Sequence, residues 1–403
     1  MTMEIDSRYT ITGDGDTIHV EARKGISAYE LFRPEDMQLV LDPPEVIAQT
    51  LASGNFEFNT QLARVLYPQL DLSSPDPEIV MAYILRDRIS YLNLDQAFFS
   101  QGQHLIYWQA AKKLMEYYGI TVKVPSPSFL FAGHLDFVYI TQKLNEMEGV
   151  LSGAYFPRYH TVCFDSMFLT STESKMDTAT NTMFLLHEMF EALTDTRMGG
   201  GYDISFDLLE LKEVMDNQKA VEELLHQKLS QAVRGGQRLG IIQRGMEIIN
   251  PTINGGLGNM LREGVIQHLA LTALQNYEKD SEIIINLSRS SYHVAFMVVH
   301  ALYKTDINIP FNYFVHALGD CDMLPVLIQK VDEKLGEGGY ELLCRLLDYD
   351  KPPTKARDSL ALLFLNRKIN FPTTSIKIPR AVFEGLTGNE IDEIAKTHSL
   401  IVE

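Results

Sequence analysis

From Leu185 to Asp195 the chain reads Leu-Leu-His-Glu-Met-Phe-Glu-Ala-Leu-Thr-Asp, which sets one histidine and three acids into two turns of otherwise apolar sequence. The pattern predicts a helix, and His187, Glu191 and Asp195, spaced four apart, share one of its faces. Leu185, Leu186, Met189, Phe190 and Leu193 occupy much of the remaining circumference, so little of the surface is purely polar. A helix of this kind has to be half buried, and unpaired charges on it would be costly. A metal ion is the partner that a histidine and carboxylates at this spacing suggest.

The rest of the composition narrows the setting. The chain has 403 residues, enough for two or three domains, with 45% hydrophobic and 22% charged residues, as in ordinary globular proteins. Its formal charge of −18 argues against a nucleic-acid backbone or an anionic membrane as main partner. Cys163, Cys321 and Cys344 lie far apart without Cys-x-x-Cys spacing, so neither a disulfide framework nor a cysteine-based zinc site is expected. The polar, acidic start shows no Sec-type signal, and no apolar run is long enough to span a bilayer; His300, Lys304 and Asp306 close off Val294–Leu302. A soluble cytoplasmic protein is the expectation, with secretion by a route lacking a cleaved signal left open.

Along the chain, Tyr9–Thr12 and Thr17–Ala22 alternate around Gly13-Asp14-Gly15-Asp16 as in a β-hairpin. Short helices are expected at Glu45–Ala52 and Asn59–Leu66, a longer aromatic-rich one over Leu94–Tyr118, and a strand over Ile120–Val124 ahead of Pro125 and Pro127. Further on, Leu135–Met147 reads as helix and Gly153–Asp165 as two strand segments turning at Pro157-Arg158. Amphipathic helix is expected over Leu208–Val233, helix again over Asn259–Tyr277, and an apolar helix at Asp358–Leu365. The whole predicts an α+β, predominantly helical protein: a mixed N-terminal region (1–128), a central domain (129–350) and a helical C-terminal tail (351–403).

A hydrolytic zinc site needs three ligands, an open position and a general base, commonly a glutamate next to the first ligand on the same helix. His187-Glu188 has that arrangement, and Leu-Arg-Glu263-Gly-Val-Ile-Gln-His-Leu offers a later helix with a third ligand. Together, LLHEMFEALTD and LREGVIQHLALTAL resemble the gluzincin branch of the zincin metallopeptidases over roughly residues 130–310. The resemblance implies a central zincin-like domain, with Ala154–Asp165 as the edge strand lining a substrate cleft. It implies His187 as first metal ligand, Glu188 as general base, Glu263 as third ligand and Tyr292 (or His293) as oxyanion stabiliser. At the second ligand position stands Glu191, where the family has histidine, giving HExxE for HExxH. A carboxylate there can still bind zinc at roughly 2.0–2.2 Å, but a one-histidine, two-carboxylate set leans toward Mn²⁺ or Fe²⁺.

The expected function is therefore metal-dependent hydrolysis of a peptide or amide bond, on a peptide or protein substrate. The alternatives are an inactive zincin-derived pseudoenzyme that binds a partner in the old cleft and, more weakly, a non-haem iron or manganese protein. Glu223 and His226 have the Glu-x-x-His spacing of di-iron bundles, but no second copy accompanies them. His268 and His300, on apolar helices, read as core residues. Neither a phosphate-loop lysine nor a Gly-x-Ser-x-Gly elbow is present.

Overall fold

The computed structural model describes, with short gaps, residues 9–22, 103–132, 153–165, 175–207, 241–277, 292–349 and 359–403, plus isolated positions. The helices expected at 45–52, 59–66 and 135–147 and most of 208–233 lie outside the described residues.

The described chain is predominantly helical with a few small sheets. The first hairpin pairs β1 (Tyr9–Asp14) with β2 (Thr17–Ala22), Asp14 opposite Thr17, and β2 pairs with β7 (Ile204–Asp207). Helix α1 (Gln103–Tyr117) ends at Gly119, whose φ of +83° suits glycine after a helix. The strand expected over Ile120–Val124 does not form. Instead β3 (Ser128–Ala132) begins just past Pro127 and pairs in parallel with β5 (Thr161–Asp165), where every residue can offer an amide; β4 (Gly153–Phe156) adds antiparallel to the other side of β5.

Two long helices, α2 (Lys175–Leu193) and α3 (Asn259–Tyr277), form the centre of the molecule and pack on each other. Between them in sequence, β6 (Thr196–Met198), β8 (Ile241–Arg244), β9 (Glu247–Ile249) and β10 (Gly256–Leu257) form a meander in the order β10-β9-β8-β6. The α3 start is capped by Asp348: its Oδ2 accepts from Gly258 N at 2.8 Å and its Oδ1 from Met260 N at 2.9 Å. A carboxylate there satisfies orphan donors and complements the helix dipole.

On α3 lies α4 (His293–Lys304), brought close by Gly264. A Cβ at that position would stand 2.5 Å from the Ala295 carbonyl oxygen, so only glycine permits this approach. Helices α5 (Phe311–Gly319), α6 (Leu324–Leu335), α7 (Gly339–Tyr349) and α8 (Leu360–Asn370) complete the helical layer. Helix α8 starts two residues later than its apolar pattern suggests, because Ser359 accepts from Leu362 N as the N-cap. The chain finishes with β11 (Ile376–Ile378), α9 (Gly388–His398) and β12 (Leu400–Val402), the two strands pairing in parallel. Thr387 and Glu390 form a capping box ahead of α9. One continuous apolar cluster runs from Trp108 through Leu186, Leu261 and Val298 to Leu400. No helix among the described residues is long and apolar enough to cross a membrane.

Candidate metal centre

Helix α2 presents His187 and Glu191 one turn apart, and α3 presents Glu263 and Gln267 one turn apart. Where the two helices pack, these four side chains meet. All are buried: His187 and Glu191 are 4% exposed, Glu263 6% and Gln267 0%. His187 Nε2 lies 3.0 Å from Glu263 Oε2 and 3.9 Å from Glu191 Oε1, and the three donor atoms fall within 4.8 Å of one another. Four-coordinate ligands at 2.0–2.2 Å from an ion stand about 3.3–3.6 Å apart, so the spacing suits a single cation.

His187 Nε2 and Glu263 Oε2 are 3.0 Å apart, an ion pair that depends on a proton on Nε2; with that nitrogen unprotonated, as a metal ligand must be, Oε2 is a buried oxygen with no hydrogen-bond donor. Such an atom is costly unless a cation faces it. The surrounding charge points the same way. Glu188, Glu191, Glu247 and Glu263 act on a cluster that holds two guanidinium groups, Arg244 and Arg262, so with a neutral ring at His187 negative charge is in excess. The residues therefore fit a divalent ion, with one qualification that Glu191 supplies.

Glu191 is shared with the two arginines. Arg262 Nη1 donates to both of its oxygens at 2.5 Å, and Arg244 Nη2 approaches its Oε2 at 2.5 Å. Arg262, 2% exposed, also donates from Nη2 to Glu263 Oε1 (2.6 Å) and Asn259 Oδ1 (2.9 Å), with Nε 3.3 Å from Glu247 Oε2. One guanidinium thus ties together three carboxylates from α2, α3 and β9. Glu191 keeps an oxygen toward His187, but much of its charge is already matched.

The ionisation of the metal-free cluster follows from these neighbours. Burial disfavours a charged ring at His187, yet Glu263, with Glu188 and Glu191 behind it, outweighs burial and pushes the ring up to about 9. Burial raises the Glu188 carboxyl to about 7, with the His187 charge opposing. Burial also works against an ionised Glu263, but Arg262 and then His187 bring it down to about 2. The Tyr292 hydroxyl is held well above its usual range, first by the Glu263 charge and then by burial. Its ring stacks flat on His187, centroids 5.2 Å apart and planes 3° from parallel. Glu188 as a residue is part-buried.

His187, Glu188, Glu191, Glu263 and Tyr292 are thus brought to one place. Asp195 is not part of it. Its carboxylate accepts from Arg197 Nε (3.0 Å) and Cys321 N (2.9 Å), fastening the end of α2 to the turn after α5. Arg244 and Glu247 lie in unremarkable stretches, and Gln267, although inside the LREGVIQHLALTAL segment, carried no mark of its own. Arg262 had a signal, since it directly precedes Glu263, but its partners are 71 and 15 positions away in the chain.

No family model, curated protein or solved structure matches this chain.

Proposed function

We propose that this chain is a zincin-like protein that hydrolyses peptide or amide bonds with the help of a divalent metal ion at a non-standard HExxE site. The observation that carries the reading is the convergence of three buried ligand atoms, with Glu263 Oε2 3.0 Å from His187 Nε2 beside Glu191. His187, Glu263 and Glu191 would hold the ion, which when bound supplies Lewis acidity toward a carbonyl oxygen. Two carboxylates and one imidazole accommodate Zn²⁺ and favour Mn²⁺ or Fe²⁺ more than a two-histidine set does.

The chain's own groups have matching capacities. Glu188, with its carboxyl near neutrality, takes a proton from water and returns it to the leaving amine. Tyr292 stays protonated, so its hydroxyl can donate to oxygen that gains negative charge. A peptide or protein is the substrate class.

A second reading has its own support. Arg262 and Arg244 spend the charge of Glu191 on guanidinium groups, as suits a zincin-derived binding module that no longer turns over. Elemental analysis of protein purified without chelator, beside His187→Ala, separates the two. About one equivalent of zinc, manganese or iron, lost in the variant, together with peptide hydrolysis abolished by Glu188→Gln at unchanged metal content, is the expected result. Metal-free protein, even after addition of Zn²⁺ or Mn²⁺, would overturn the hydrolase reading in favour of the binding module.

A further inference from the structure

The His187 ring has a second nitrogen, and its partner is Gln267. Nδ1 lies 3.0 Å from Gln267 Oε1, and both side chains are buried. An imidazole nitrogen and an amide can pair in either sense, so the direction has to be settled by the amide's other end. Gln267 Nε2 stands 3.0 Å from the Met183 sulfur, a weak acceptor that has no hydrogen to give. Turning the amide over would place its oxygen against that sulfur and its NH₂ against His187. The amide nitrogen therefore faces Met183, the amide oxygen faces His187, and the proton between them is on Nδ1.

We propose that Gln267 is the positioning residue of this centre: it holds His187 with Nδ1 protonated and so aims the Nε2 lone pair at the space beside Glu263 Oε2 and Glu191 Oε1. This rests on the metal-site reading given above. A histidine ligand needs its distal nitrogen fixed in this way, and losing such a support typically weakens metal affinity about 10–100-fold. The helix geometry makes the support automatic. Glu263 and Gln267 are four apart on α3, so one helix face delivers the candidate ligand to one side of the ring and its support to the other. Met183, four residues before His187 on α2, closes the set. Two pairs at helical spacing on facing helices thus fix both the orientation and the tautomer of one imidazole.

The test compares wild type with Gln267→Leu and Gln267→Glu. Zinc affinity is measured by competition with a chromophoric chelator, and the His187 Nδ1–H proton is followed by ¹⁵N-edited NMR. A positioning role predicts that Leu, which fills the space but accepts nothing, loses about 10–100-fold in affinity. Glu, which accepts the same proton, retains wild-type affinity or exceeds it. A packing role predicts the opposite order, because a buried carboxylate beside the other acids is worse there than leucine, and that order would overturn the inference. The NMR arm needs no metal and is read with the ring neutral, when one of its two nitrogens alone carries a proton. A protected Nδ1–H in wild type that exchanges freely in Gln267→Leu supports the inference, and its absence from wild type overturns it. Should wild type bind no zinc yet show the protected proton, the metal reading falls and the hold of Gln267 on His187 stands.

Discussion

Helix α3 carries, at adjacent positions, contacts to two buried histidines in opposite surroundings. Gln267 reaches into the acid–arginine cluster around His187, while His268 sits in an aromatic stack. The His268 ring lies on Phe296 (centroids 3.7 Å apart, 12° between planes) and beside His300 (5.8 Å), with Tyr303 and Phe311 edge-on. Its Nε2 donates to the Phe296 carbonyl at 2.9 Å and its Nδ1 faces the Tyr303 hydroxyl at 3.4 Å, so the neutral ring is satisfied. Burial, helped by His300 and Lys304 against the Phe296 hydrogen bond, brings His268 down to about 4, whereas His187 goes up to about 9. Both rings are almost fully buried, so burial alone does not decide the charge. The carboxylates around His187 do, and the aromatic stack has none to offer.

The largest expected effect strikes the charged side of this contrast. Arg262→Ala leaves Glu191, Glu263 and Glu247 without their common partner, and breaking a buried ion network costs about 3–5 kcal/mol. Denaturant unfolding measures it; a loss below about 1 kcal/mol would mean that Arg244 or a bound cation carries the compensation instead.

Next comes pH, where the two histidines pull in opposite directions. Below pH 6.5 the unfolded chain protonates His268 before the native state does, so its contribution is present above 6.5 and lost as pH falls toward about 4. The loss amounts to about 3 kcal/mol. His187 in metal-free protein behaves conversely: its contribution is complete below 6.5 and lost as pH rises through about 9. Unfolding of chelator-treated protein across this range should show both limbs. His268→Phe should flatten the acid limb alone, and Glu263→Gln should move the alkaline limb down toward 6.5. If His268→Phe changed the alkaline limb instead, the two histidines would have to share one environment.

A smaller effect tests the packing that puts Tyr292 on His187. Gly264→Ala drives a methyl into the Ala295 carbonyl, and relief requires α3 and α4 to separate. Overpacking of this kind costs about 1–3 kcal/mol, and the stacked His187–Tyr292 pair should loosen with it. Unchanged stability and an unchanged Tyr292 environment in NMR would show that the helices have room to spare.

Legibility differed between regions. Residues 259–277 form the helix their periodicity predicts, and Gly153–Phe156 and Thr161–Asp165 pair as two antiparallel strands within the stretch expected to hold two; the turn expected at Pro157-Arg158 lies outside the described residues. The strand near residue 120 was misplaced because Pro125 and Pro127 mark a boundary without saying on which side the strand lies; pairing with Thr161–Asp165 decides that. Within the candidate site, His187, Glu188 and Glu191 stood out because helical spacing is local, and Glu263 and Tyr292 were suggested by a family resemblance. Arg244 and Glu247 carry no such mark, since an arginine or glutamate on a short hairpin is ordinary until something buried faces it.

Sequence by itself determined which faces of the two central helices carry polar groups, since a repeat of four residues keeps side chains together whatever packs against them. Only the tertiary structure decided what those groups are worth. It set Arg262 among three carboxylates, turned Gln267 Oε1 to His187 Nδ1 and brought Glu263 Oε2 to His187 Nε2. The reason is that charge interactions in a buried site depend on distances between helices distant in the chain, and no local pattern encodes those distances.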